Sequence, residues 1–211
     1  MARQTGPVCR MCRREGVKLF LKGMKCVTPK CPVEKRNQPP GQHGAGGRRS
    51  RRVSDYGLRL REKQRAKRIA GLMERQFTNV FARAARMPGM TGGNLLQILA
   101  RRLDAVAHRL GFASSRAAAR QLILHGHVQV NGRKVTIPSY LAEVGDEVAL
   151  RDRTRANVHV VQAQEDAKKR GWPSWVAYHP ETWPGKILAF PSKDEAGYPV
   201  QEQLIVELYS K

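Results

Sequence analysis

The chain has 211 residues, with 39 Lys and Arg against 17 Asp and Glu, and a formal net charge of +22 at neutral pH. Its apolar fraction of 41% is near that of an ordinary folded protein, while aromatics supply only 6% of residues. So much like charge repels itself in a compact state, which implies a modest core under a positive surface that a polyanion neutralises.

The charge is graded along the chain. Residues 1–70 hold 20 basic and 4 acidic residues, 71–150 hold 10 and 5, and 151–211 hold 9 and 8. The N-terminal third is therefore built against the polyanion, and the tail should have a different role. The start, MARQTGPVCR, has no apolar run that could form a signal-peptide core, and no window reaches the length of a membrane span. The run Arg59 to Arg68 (RLREKQRAKR) offers too little apolar surface beyond Leu60 for an interfacial helix. A cytoplasmic location is the expectation.

Cys9, Cys12, Cys26 and Cys31 form the pattern C-x2-C-x13-C-x4-C, and the remaining 180 residues contain no cysteine. A C-x2-C pair sets two thiolates on one tight knuckle, and a second pair closes a tetrahedron around one ion. The disulfide alternative needs an oxidising compartment, and redox catalysis needs a strand–helix context that is missing here. The spacing predicts a structural metal site. Zn2+ is the usual occupant of four thiolates, with a 4Fe-4S cluster as the alternative that Pro32 after Cys31 faintly echoes. About 40 residues with few large apolar side chains need such a metal to fold.

A Pro/Gly-rich stretch, Asn37 to Arg52, follows. Its two readings are a flexible linker and an RNA-contacting loop, and Arg48, Arg49, Arg51 and Arg52 favour contact, because arginine-rich segments fold onto RNA. Ser54-Asp55 reads as a helix start, with Leu58, Leu60, Ile69, Leu72, Met73, Phe77, Val80 and Phe81 as candidate core. Arg59, Arg61, Lys63 and Arg65 on that helix are candidate RNA contacts. Gly71 and Met87-Pro88-Gly89 divide the region, and helical spacing resumes from Asn94 to Gly111.

The segment Arg101 to Leu150 carries the most specific pattern. A helix ends at Gly111, Ser114 or Ser115 caps a second, and Gly126 closes it. VQVNGRKV then alternates apolar residues around Asn131-Gly132, the strongest short hairpin signal. Gly145-Asp146 turns into a further strand, Glu147 to Leu150. Arg116 and Arg120 are four apart and so share one helical face. With His125, His127, Asn131, Arg133 and Lys134 they form the expected RNA-binding set, since paired guanidinium groups grip successive phosphates. Beyond Arg151, Trp172, Trp175 and Trp183 stand in a stretch of almost no net charge. They are expected to pack as core or against a protein rather than to stack bases. The end, EQLIVELYSK, reads as a strand.

Together the cysteine pattern, PPGQHG at Pro39–Gly44, SDYGLRLREKQ at Ser54–Gln64, RLDAVAHRLGFASSRAAARQLILHGHVQVNGRKVTIPSY at Arg102–Tyr140 and VQEQLIVELYSK at the end resemble bacterial small-subunit ribosomal protein four, in a four-cysteine subgroup. The resemblance covers nearly the whole chain. It implies an α+β fold: a metal-binding N-terminal extension over 1–45, a mainly helical domain over 46–98 and 160–211, and an inserted RNA-binding module over 99–159 with two helices on a curled sheet. It also implies a primary binder of 16S rRNA that helps nucleate assembly of the 5′ domain. Expected neighbours are ribosomal protein five, other small-subunit proteins and messenger RNA where it enters the subunit. Such a protein affects translational accuracy.

An RNA-modifying enzyme bearing the same module would need a catalytic domain. The chain outside the cysteines and the module is too short for one and shows no carboxylate pair, nucleophile–histidine set or nucleotide loop. No enzyme activity and no small-molecule substrate are expected. A metal-dependent DNA regulator is disfavoured by the lack of a recognition-helix pattern or dimerisation heptads.

Overall fold

The computed structural model describes residues 4–41, 54–179 and 183–210. It is a mixed fold of helices and one small antiparallel sheet, divided into two compact units. The first comprises Met1–Asn94 and Tyr198–Lys211; the second, Leu95–Gly197, interrupts it in sequence. The chain thus returns to the helical unit at Tyr198, later than the residue 160 expected from the sequence. Two unforeseen strands in that interval join the sheet of the second unit. No described helix is long and apolar enough to cross a membrane.

The first unit contains α1 (Cys9–Glu15), a 3-10 turn (Gly23–Cys26), α2 (Pro32–Lys35), α3 (Asp55–Ala70), α4 (Glu74–Ala85), the start of α5 (Thr91–Arg101) and the last helix, α10 (Glu202–Tyr209). Ser54 caps α3 by accepting a hydrogen bond from Gly57 N–H at 3.2 Å, and Gly71 ends it in the left-handed conformation. The expected C-terminal strand is α10. Ile205 is fully buried, Glu202 is buried, and Tyr209 one turn later stacks on Phe81 with ring centroids 4.3 Å apart. Short apolar runs fit either period, and here packing along α3 selects the helix. Of the expected core, Ile69, Leu72 and Phe77 are buried, Leu60, Val80 and Phe81 are half-buried, and Leu58 and Met73 are exposed; Ala66 and Ala70 are buried as well.

The second unit continues α5 and adds α6 (Leu103–Arg109), α7 (Arg116–Leu124), β1 (Val128–Val130), β2 (Arg133–Lys134), β3 (Glu147–Leu150), α8 (Asp152–Arg155), α9 (Val158–Arg170), β4 (Val176–Tyr178) and β5 (Gly185–Ile187). The helix expected from Asn94 to Gly111 breaks at Arg102, whose extended backbone (φ −60°, ψ 138°) bridges to Leu141. Ser115 caps α7, accepting from Ala118 N–H at 3.3 Å. Asn131-Gly132 forms the hairpin turn with positive φ at both residues (51° and 74°), as a two-residue turn of the right twist requires. The five strands run in the order β2-β1-β3-β5-β4, all pairs antiparallel. Trp175 is buried, Trp172 and Trp183 pack against the same core, and Trp172 Nε1–H donates to the Leu110 carbonyl at 3.2 Å. The tryptophans are therefore core residues. Their apolar area is what fastens β4 and β5 to the module.

His108 belongs to this unit's wall. Its Nδ1–H donates to the Ala113 carbonyl at 3.1 Å, and burial, with Arg116, Arg170 and Arg109 nearby, pushes its pKa down to about 3. An unfolded histidine titrates near 6.5, so between those values only the unfolded chain takes up the proton. The contribution is complete above pH 6.5 and is lost as pH falls toward 3. Stability should drop by about 2 kcal/mol more between pH 6.5 and 5 in the wild type than in His108→Gln, as urea midpoints would show. Equal pH slopes would contradict a buried neutral imidazole.

Candidate nucleic-acid interface

The basic residues divide into those turned inward on acids and those turned outward. On α3 every expected RNA contact has a carboxylate partner. Arg59 pairs with Glu207 of α10 at 2.8 Å, Arg61 with Glu15 of α1 at 3.2 Å, Lys63 with Glu74 of α4, and Arg65 with Glu62. Lys67 adds a second bond to Glu74 at 2.7 Å, and Arg68 a second to Glu15. The Glu15 side chain is fully buried, and Lys63 is 8% exposed. Burying charge is costly unless it is paired, which is why these pairs form a network and not scattered surface bridges. The helix acts as a charged spine that ties α1, α4 and α10 to itself. Arg48, Arg49, Arg51 and Arg52 lie outside the described residues.

In the second unit the expected pair on α7 separates. Arg116 is half-buried near the helix start. Arg120 is buried, and its guanidinium lies 3.5 Å from Asp104 of α6. Arg102 holds the same carboxylate with two hydrogen bonds, at 3.1 and 2.6 Å. Residues 102, 104 and 120 form an interior triad that fixes the α5–α6 break against α7. Arg120 is a positioning residue in this arrangement, one turn deeper than Arg116.

Asn131, exposed on the turn, is tied down by hydrogen bonds. Its amide donates to Asp146 at 2.8 Å, its Oδ1 accepts from Glu147 N–H at 2.8 Å, and Tyr140 O–H donates to Asp146 at 3.2 Å. The Asp146 carboxylate, which also accepts from Glu143 N–H at 2.9 Å, is thus spent on fixing the hairpin. What projects is Arg133 and Lys134, both exposed on the edge strand β2. The Lys134 stem lies over Gly126, where any side chain would collide with it. That places its ammonium beside His125 and His127, whose rings are 6.2 Å apart. His125 is exposed, while His127 is half-buried and hydrogen-bonded through Nδ1 to Thr154 Oγ1 at 2.9 Å.

The pairing of β1 with β3 adds a residue that sequence reasoning missed. Arg151 follows β3 opposite His127, and its N–H donates to the His127 carbonyl at 3.0 Å. Its side chain is exposed, as is that of Arg153 in α8. Only the strand register brings residue 151 beside residue 127, so spacing gave no signal for it. Among the described residues no carboxylate pairs with Arg133, Lys134 or Arg151. A rigid edge carrying unpaired cations can meet successive phosphates without reorganising.

The cysteines are free of disulfide bonds; Cys12, Cys26 and Cys31 are buried and Cys9 is half-buried. Burial pushes the Cys12 thiol up against a backbone hydrogen bond from Leu19, and the charges of Cys26, Cys9 and Cys31 add to the rise. Lys22 N–H donates to Cys26 Sγ at 3.4 Å. The donor set suits a thiophilic ion. Among the described residues, however, no three His, Cys, Asp or Glu side chains close into a ready-made metal group. The expected metal-binding knot therefore appears as a small helical element with gathered thiols.

Residues 3–100 match the family model for the ribosomal protein S4/S9 N-terminal domain, and residues 101–148 match the S4 domain. The small ribosomal subunit protein uS4A of Symbiobacterium thermophilum is 54% identical, with both chains covered fully. The uS4 proteins of Geobacter sp. and Pelotomaculum thermopropionicum are 53% and 52% identical, again over the whole of each chain. The chain belongs to the small ribosomal subunit protein uS4 family.

Proposed function

We propose that this protein, by its family a structural constituent of the small ribosomal subunit, is a primary binder of 16S rRNA. It docks on a multi-helix junction of the 5′ domain and nucleates assembly around it. Ribosomal protein five and the incoming messenger RNA lie nearby, and the seat gives the protein an influence on decoding accuracy. It performs no chemistry of its own. The observation that carries this reading is the outward set Arg133, Lys134, Arg151 and His125 on and beside a hairpin locked by Asn131 and Asp146. The full chain should co-sediment with the small subunit in moderate salt. Protein left at the top of the gradient would overturn the reading.

Cys9, Cys12, Cys26 and Cys31 would hold Zn2+ in this reading, with an iron–sulfur cluster as the second possibility. Buried thiols that receive backbone N–H bonds support a thiolate-bound ion, which would fasten α1 to the 3-10 turn and α2. Elemental analysis should find zinc in amounts equal to protein, and chelation should unfold residues 1–40 while leaving 101–150 folded. Iron in place of zinc would favour the cluster. Loss of the module's structure on chelation would contradict the independence of the two parts.

A further inference from the structure

The cysteine element leaves four apolar side chains outside its core. Val17, Phe20, Met24 and Val27 are exposed by 39%, 56%, 44% and 63%, although the neighbouring Leu19 and Cys26 are buried. Phe20 has φ 51°, a left-handed conformation that is unfavourable for a residue with a Cβ. Asn131 and Trp183 share that conformation, but Asn131 stands in a hairpin turn that demands it and Trp183 packs against the core, whereas Phe20 is exposed. At Phe20 a left-handed backbone coincides with an exposed aromatic ring. Strain of this kind persists only where the surrounding structure imposes it, and it clusters at binding sites.

The surroundings say which partner. Residues 4–36 contain nine Lys and Arg and two acids. Both acids are already engaged: Glu15 by Arg61 and Arg68, and Glu34 by Lys18. Arg10, Arg14, Lys22, Lys25 and Lys30 are exposed. An aromatic ring standing among free cations fits an unpaired nucleotide, whose base offers an apolar face and whose phosphate offers the charge. A lipid surface fits poorly, because a loop and a single 3-10 turn present no amphipathic helix.

Resting on the rRNA-binding reading above, we propose that Phe20 is a stacking platform for an unpaired nucleotide of the bound RNA, with Lys22 and Lys25 at the flanking phosphates. The site belongs to the first unit, and the hairpin edge to the second. It gives the N-terminal element a direct part in recognition, beyond its own folding.

The test uses the full chain and a transcript of the 16S rRNA 5′ domain. Phe20→Ala and Phe20→Gly should each weaken binding about tenfold, while the slope of affinity against salt stays unchanged because no phosphate contact is lost. Glycine suits φ 51° better than phenylalanine, so Phe20→Gly should keep its thermal stability, which separates lost stacking from lost folding. Phe20→Trp should bind like the wild type. A photo-crosslinking benzoylphenylalanine at position 20 should label RNA in the reconstituted subunit. Wild-type affinity in both small variants would overturn the platform and leave the rRNA reading standing, as would crosslinks to protein alone. A wild-type chain that does not bind the transcript would sink both.

Discussion

Asp104→Ala is expected to destabilise the second unit by about 3–5 kcal/mol, the cost of leaving buried charge without its partner. Asp104 is 3% exposed and lies between Arg102 and Arg120, at 5% and 6%. Arg102 donates to both carboxylate oxygens, and Arg120 approaches to 3.5 Å. Removal of the carboxylate takes both Asp104 hydrogen bonds from the buried Arg102 guanidinium and the ion pair from Arg120, leaving two buried positive charges without the acid between them. Folding free energies are only about 5–15 kcal/mol, so the loss takes a large share of the total. Urea unfolding of the full chain would read it as a lower midpoint. Asp104→Ala with Arg120→Leu should recover part of the loss, since one of the two buried like charges is gone. A single-variant loss under about 1 kcal/mol would mean that the triad is solvated and that Arg120 is free to face RNA.

That triad also shows where sequence reasoning stops. Arg116 and Arg120 do share a helical face, and the spacing rule was right about that. It carries no information on depth, because the acid that draws Arg120 inward sits on another helix. The same holds on α3, where Arg59 meets Glu207 and Lys63 meets Glu74 across breaks in sequence that no local pattern bridges. An arginine row looks the same whether it faces phosphate or a carboxylate brought in from elsewhere in the chain.

Local signals performed differently. The Asn131-Gly132 turn, the Ser115 cap and the strand Glu147–Leu150 stand where the sequence put them, since each is set by a few adjacent residues. The elements that went astray depend on distant partners. The end of the chain is helical because Ile205 and Tyr209 find α3 and α4, and β4 and β5 exist because β3 offers an edge. Arg102 leaves the helix because Leu141 and Asp104 hold it in an extended conformation. Arg151 became visible as a candidate contact only through its register opposite His127.

In the proposed reading the hairpin edge supplies phosphate contacts to rRNA, while the α3 cations are paired with carboxylates of the chain. Arg133, Lys134 and Arg151 are exposed, and alanine at each leaves the strand hydrogen bonds intact, so the triple variant should fold. Its affinity for the 5′ domain transcript should fall by at least about 2 kcal/mol, roughly thirtyfold, through lost charge-assisted contacts. The slope of log affinity against log salt should also become shallower by about two to three, one step for each lost phosphate contact. The measurement is that slope, taken for wild type and triple variant side by side. A shallower slope in the variant is the predicted result, and parallel lines with equal affinity would contradict the account.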